Sequence, residues 1–199
     1  FLLGTRDFKR MLAYSSVEHM GIISVGAALG AAGAWAALFH VWGNSLTKGA
    51  LFLSAGNIRR AAGGRTMDDV RGMSALTPWS AAMFVTGMFI VTALPPFGPF
   101  FSELGIVRAA FASDRPGPAA MFLGCLLFAF FGLTRVVFGI VDGRPRVSAA
   151  QTARRFPETA SVIVPPLVLL ALALWLGLAT PAVLRDAWNG AGAELFPSP

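Results

Sequence analysis

Long apolar runs dominate the chain, separated by short polar and basic clusters. Residues 11–30, 34–57, 118–141 and 160–180 are each long enough for a helix to cross a hydrocarbon layer, which takes about 20 residues. The stretch 78–112 differs. It is apolar up to Leu94, meets Pro95-Pro96-Phe97-Gly98-Pro99, and is apolar again through Phe111. Proline lacks an N–H and restricts the residue before it, so no continuous helix runs through this cluster. The second piece, 100–112, is too short to cross alone and carries Ser102, Glu103 and Arg108. The pattern predicts one span in two halves, with Pro95, Pro96, Gly98 and Pro99 as the hinge. This gives an all-α integral membrane fold of about five transmembrane helices.

Charge placement favours the same count. With five spans, Arg6, Lys9, Arg10, Arg59, Arg60, Arg65, Arg71, Arg144, Arg146, Arg154 and Arg155 share one side, against Arg108, Arg115 and Arg185 on the other. A sixth span would move one four-arginine loop across and weaken that bias. The positive-inside rule then puts the arginine-rich side in the cytoplasm. Residues 1–141 read as a helix bundle, 142–158 as a basic cytoplasmic loop, and 159–199 as a last transmembrane helix with a polar or interfacial tail from 185.

Composition narrows the class. Apolar residues make up 55% of the 199, and only 13% are charged, where ~25% is usual. That excludes intrinsic disorder, and a single cysteine excludes a disulfide scaffold. A chain this poor in charge cannot cover the surface of a water-soluble domain. The net charge of +6 does not point to nucleic acid, because the arginines fall between apolar runs rather than on one solvated face. Phe1-Leu2-Leu3-Gly4 reads as the tail of an earlier apolar segment, with no charged region or cleavage site of a signal peptide. The chain is expected to be part of something longer.

The informative residues are ionisable groups inside apolar spans. A charge at the bilayer centre costs ~2.5–3.5 kcal/mol on the insertion scale, so such residues face the protein interior and mark pathways. Glu18, His19, His40, Lys48 and Glu103 qualify. His40, Asn44 and Lys48 are spaced i, i+4, i+8, which puts them on one helix face over about 12 Å of rise. Thr47 and Ser54 could add hydroxyls near that stripe. Such a file suits a proton relay: histidine titrates near neutrality and lysine loses its proton readily when desolvated. The alternatives are an ordinary helix–helix hydrogen bond for His40 and a structural ion pair for Lys48.

Glu103 follows the proline break, where interrupted spans open backbone groups to a cavity. Its alternative is a helix-capping role with Ser102. Glu18 and His19, being adjacent, face directions about 100° apart and do not form one site. Arg135 is near the end of its span and can snorkel. Cys125 reads as inert packing, and Trp35, Trp42, Trp79 and Trp175 as packing or interface residues.

No nucleotide loop, cysteine cluster or H-E-x-x-H motif is present. The chain is expected to hold no metal, iron–sulfur cluster, haem or flavin; any redox chemistry belongs to partners.

The segments Asp7–Ser16 (DFKRMLAYSS), Glu18-His19-Met20-Gly21, His40 with Asn44-Ser45-Leu46-Thr47-Lys48, and Leu94–Gly98 with Ser102-Glu103 resemble the antiporter-like, proton-translocating membrane subunits. These occur in respiratory complex I, membrane-bound hydrogenases and multi-subunit Na+/H+ antiporters. The wording SSVEHMG and NSLTKGALF is nearest to the hydrogenase 4 branch of that family. The resemblance covers roughly residues 1–140. It implies a fold of about fourteen helices in two inverted repeats, of which this chain corresponds to the second.

It further implies that Lys48 is the central relay lysine, that His40 feeds it, and that Glu103 is the terminal carboxylate. Lys9, at the cytoplasmic end of its span, is a weaker member of the set. Many relatives carry His where this chain has Asn44, which cannot hold an extra proton. The implied function is a non-catalytic proton-pumping subunit of a hydrogenase-4, formate-hydrogenlyase or complex I-like assembly. Its partners would be membrane and soluble subunits, and its place the bacterial or archaeal inner membrane. A Na+/H+ antiporter subunit, with Glu103 taking Na+, and a non-transporting scaffold are the alternatives.

Overall fold

The computed structural model describes residue 4, residues 6–114 and residues 116–195. Phe1–Leu3 and Arg115, whose places the sequence pattern predicts, lie outside the described residues, as do residues 196–199. The described residues form no strand, only an isolated bridge between Asp7 and Thr66. The helices are α1 (Phe8–Ala28), α2 (Ala31–Ala62), α3 (Pro78–Val91), α4 (Gly98–Ala112), α5 (Pro116–Val141), α6 (Ala149–Arg155), α7 (Ala160–Leu178) and α8 (Ala182–Leu195).

The central element is α2, against which α1, α3, α4, α7 and α8 all pack. It holds no proline, so nothing breaks it between two glycines that the backbone requires. Gly30 (φ 64°) starts it, and Gly63 (φ 74°, left-handed) ends it. Arg155 from α6 donates to the carbonyl of Ala62 at 3.1 Å, satisfying one orphan acceptor at that end.

The order of contacts along α2 shows how the interrupted span is built. Leu51 of α2 meets Gly87 of α3, where an added Cβ would lie 2.8 Å from Leu51 Cδ2. Two turns nearer the start of α2, Gly43 meets Pro99 at the start of α4, with 3.1 Å to Pro99 Cδ. Helices α3 and α4 are therefore stacked end to end along α2. They form one crossing in two halves, as the sequence predicts.

The break itself sits earlier than expected. The chain leaves helical geometry at Thr92, Ala93 has a left-handed φ of 59°, the Pro95-Pro96 bond is cis, and Gly98 and Pro99 already belong to α4. Pro99 fits the first turn because the amide it lacks would have no helical partner there. Pro95 and Pro96 are exposed, whereas Gly98 and Pro99 are buried.

Five crossings result: α1, α2, α3 with α4, α5, and α7. Among the described residues only α5 and α7 are long and apolar enough to qualify as continuous spans by composition. Helices α1 and α2 fall short because they carry ionisable side chains along their buried faces.

The three basic segments meet at one end of the bundle, as the charge count requires. Met67 donates to Arg6 O at 2.8 Å, and Arg146 reaches Asp69 at 3.4 Å and Asp68 at 3.7 Å. The Thr66 hydroxyl donates to Asp69 at 2.7 Å and, with the Thr66 amide, holds that carboxyl below its usual range. The segment 142–158 is not loop throughout, because α6 starts in a capping box between Ser148 and Gln151. Residues 185–195, read as a polar or interfacial tail, are helical. They belong to α8, whose Trp188 packs on Trp35 and Phe39 of α2.

Of the four apolar clusters among the described residues, two lie at different heights of the bundle. One joins Phe8, Met11 and Leu12 of α1 to Leu51 and Ile58 of α2, Phe84 and Met88 of α3, and Leu133 and Ile140 of α5. The other joins Ile22, Ala36, Ile106 and Phe122. Between them lies a polar layer.

Candidate functional site

The polar layer is supplied by three helices at mid-height. Helix α1 contributes Ser15 and His19, α2 contributes His40, Asn44 and Lys48, and α4 contributes Ser102 and Glu103; all seven are buried. Ser15 and His19 share one face of α1 by their i, i+4 spacing. That face meets the His40–Lys48 stripe of the antiparallel α2. Lys48 and His40 are about 12 Å apart along their axis, and Ser15 and His19 about 6 Å. The lysine stem, which leans toward its own helix N-terminus, makes up the difference. Its Nζ donates to Ser15 Oγ at 2.5 Å. Among the described residues no salt bridge to Lys48 is formed.

The other end of the layer is a chain of hydrogen bonds with a fixed polarity. Ser102 Oγ lies 2.8 Å from Pro99 O, and since a carbonyl only accepts, the hydroxyl hydrogen is committed there. Ser102 Oγ, 2.8 Å from His40 Nδ1, must then accept, which makes neutral His40 the Nδ1–H tautomer. His40 Nε2 consequently accepts from His19 Nδ1 at 2.9 Å. The open lone pair of the whole chain is His19 Nε2, a buried atom without a hydrogen-bond partner. One carbonyl, in the first turn of α4, thus sets the tautomer of two imidazoles on two other helices.

Three further buried atoms at this site lack a partner: Glu18 Oε2, Asn44 Oδ1 and Glu103 Oε1. Unsatisfied buried polar atoms are rare and cost ~1–3 kcal/mol each, so four in one layer set it apart from the apolar packing on either side.

The structure brings together His19, His40, Asn44, Lys48 and Glu103 of the sequence-predicted set, with Glu18 half-buried beside them. Glu18 and His19 do diverge around α1, but His19 joins the stripe that sequence reasoning gave to α2 alone. Lys9 is not brought in; it is exposed in the first turn of α1, near Asp7, Arg59 and Arg65. Thr47 and Ser54 do not extend the file either. Their hydroxyls donate back to Gly43 O and Ala50 O of their own helix, both at 2.8 Å.

Ser102 and Glu103 do not cap α4, which begins at Gly98. Arg135 is exposed near the basic end, as snorkelling requires. Cys125, read as packing, is exposed on α5 instead. Sequence reasoning missed Ser15 as a lysine partner, although its i, i+4 relation to His19 was available.

Comparison with known proteins bears on the family and the fold. A family described as NADH:quinone oxidoreductase/Mrp antiporter, TM, matches residues 2–134. Hydrogenase-4 component B of Escherichia coli (strain K12) is 32% identical over 203 residues, covering 89% of this chain and 30% of the relative. The hydrogenase-4 component F homolog of Methylacidiphilum infernorum (isolate V4) is 37% identical over 142 residues, covering 71% of this chain and 30% of the relative. The chain thus spans about a third of the length of these curated relatives. The fold superposes on a chain of the Mrp complex from Dietzia sp. DQ12-45-1b with a TM-score of 0.83 at 22% identity, covering 98% of this chain and 44% of that one.

Proposed function

Because this chain belongs to the NADH:quinone oxidoreductase/Mrp antiporter membrane family, we propose that it forms the proton-conducting half-channel of a membrane subunit. That subunit would serve a hydrogenase-4 or complex I-like redox assembly in a bacterial or archaeal inner membrane. The observation that carries this is the polarised chain His19–His40–Ser102 lying beside the Lys48–Ser15 pair in a layer walled by two apolar clusters.

In this reading Lys48 holds a proton at mid-span, with the Ser15 hydroxyl as its first acceptor neighbour. His19 Nε2 is the port at which a proton is taken up. A proton bound there frees the one on His19 Nδ1 to pass to His40 Nε2, which makes His40 an imidazolium; it returns to the neutral form by giving that proton, through water, to the open Glu103 Oε1 on the α4 side. Asn44 cannot titrate, so transfer past it runs through water hydrogen-bonded to its open oxygen. No redox cofactor is assigned to this chain; its partner subunits would hold any such group, and the driving force would reach the relay through conformational or electrostatic coupling.

Replacing Lys48 tests the reading. In the full-length protein within its native complex, reconstituted into proteoliposomes, Lys48→Met should abolish proton translocation with the complex still assembled. Lys48→Arg should fail as well, since a guanidinium does not release its proton. Full translocation by either variant overturns the relay. The family also includes Mrp antiporter subunits, and proton flux that requires Na+ on the opposite side would move the assignment there.

A further inference from the structure

The relay layer holds a second chemistry. We propose that His19, His40 and Glu103 form a transition-metal site of the Zn2+ class, and that its occupation closes the proton path; the inhibitory consequence rests on the function proposed above, whereas the binding does not. Each of the three side chains offers a donor atom within 4.8 Å of the other two, and all three are buried. Glu103 is 5% exposed and keeps Oε1 without a hydrogen-bond partner. His19 and His40 are fully buried.

The donor set selects the ion. Two imidazoles and one carboxylate are the ligands of open zinc sites, with the fourth position left for water, whereas hard cations prefer all-oxygen shells. The geometry is close to what zinc needs. His19 Nδ1 and His40 Nε2 are 2.9 Å apart. Two nitrogens at ~2.0–2.1 Å from a tetrahedral zinc are about 3.3 Å apart, so the pair must open by only a few tenths of an ångström.

The ion takes the place of the hydrogen shared by the two rings. The proton on His19 Nδ1 moves to His19 Nε2, so both rings stay neutral and no proton leaves them. The hydrogen bond from His40 Nδ1 to Ser102 Oγ remains and orients that ligand, as the outer partner of a metal-bound histidine does. With the shared hydrogen replaced by a metal and the His19 port protonated, no proton passes from α1 to α2.

The test uses the full-length chain in its complex, titrated with Co2+ as a spectroscopic stand-in for Zn2+. One Co2+ per chain should bind with the intense visible bands of tetrahedral coordination, and Zn2+ should displace it. His19→Asn and Glu103→Gln should each weaken binding at least tenfold. Glu103→His, whose Nε2 reaches about as far as the carboxylate, should retain binding and shift the visible bands, which a merely structural role for position 103 would not produce. Absence of bound Co2+, unchanged affinity in both His19→Asn and Glu103→Gln, or unshifted bands in an assembled Glu103→His protein overturns the site. If Co2+ binds as described but Lys48→Met still translocates protons, the site stands and the function proposed above falls.

Discussion

Ser102 decides which nitrogen of His40 carries hydrogen, and that single constraint makes it more than a packing residue. Ser102→Ala removes the acceptor of a buried N–H, at ~1–3 kcal/mol. It also frees His40 to flip tautomer and break its bond to His19. We expect slower proton translocation and a lower melting temperature in the assembled protein, with both recovered in Ser102→Thr, which keeps the hydroxyl. Equal flux in Ser102→Ala and the parent would mean that His40 polarity is irrelevant to transfer. Asn44 poses the complementary question, because its oxygen is buried and unpartnered. Asn44→Leu removes the anchor and expels water, so flux should drop sharply, whereas Asn44→His should raise it by inserting a titrating group between the neighbours one turn away. The i, i+4, i+8 stripe on α2 was legible because helix periodicity alone places it. The partnership of Lys48 with Ser15 was not, since it depends on which face of α1 turns inward and on the reach of a lysine stem across two helices.

At the scale of elements, side chains from distant segments finish helices that their own sequence leaves open. Helix α3 has no side-chain cap at Thr77; instead, the Glu158 carboxylate accepts from Trp79 N at 3.2 Å and Ser80 N at 2.6 Å. An anion at a helix N-terminus also meets a favourable dipole. Glu158→Ala should cost ~0.5–2 kcal/mol, the range for loss of an N-cap, measured as a fall in thermal stability with proton translocation retained in the assembled protein. Glu158→Gln should lose less, because its amide oxygen still accepts. The prolines inside α7 show the same device. Pro166 has no N–H to give Val162 O, and Asn57 of α2 supplies one at 3.0 Å. Proline spacing made the interrupted span legible. The start of the break at Thr92 and Ala93 was hidden, because alanine carries no signature of a left-handed φ and the deviation is imposed by the chain beyond it. Helix α8 was hidden too, being short and too polar for a span, and it is held by Trp188 against residues about 150 positions earlier.

At the scale of the molecule, polarity is layered: a basic end, an apolar cluster, the buried relay, a second apolar cluster. The layers make sense only if α3 and α4 together cross once. Were they two crossings, the stacking of Gly87 on Leu51 and of Pro99 on Gly43 along one uninterrupted α2 would be impossible. The consequence is a fixed sidedness. Arg60, in the last turn of α2, belongs to the basic end, and Ser113, just after α4, to the opposite one. Single cysteines at these positions, in the full-length protein from which exposed Cys125 has been removed, should react with a membrane-impermeant maleimide from opposite faces of sealed vesicles. Arg60→Cys should label from the cytoplasmic face, where the positive-inside rule places the arginines, and Ser113→Cys from the other. Labelling of both from one face would make α3 and α4 a hairpin of two crossings. Glu103 would then leave the level of His40, the distances that define the relay would lose their meaning, and the proton path, the metal site and the topology would fall together.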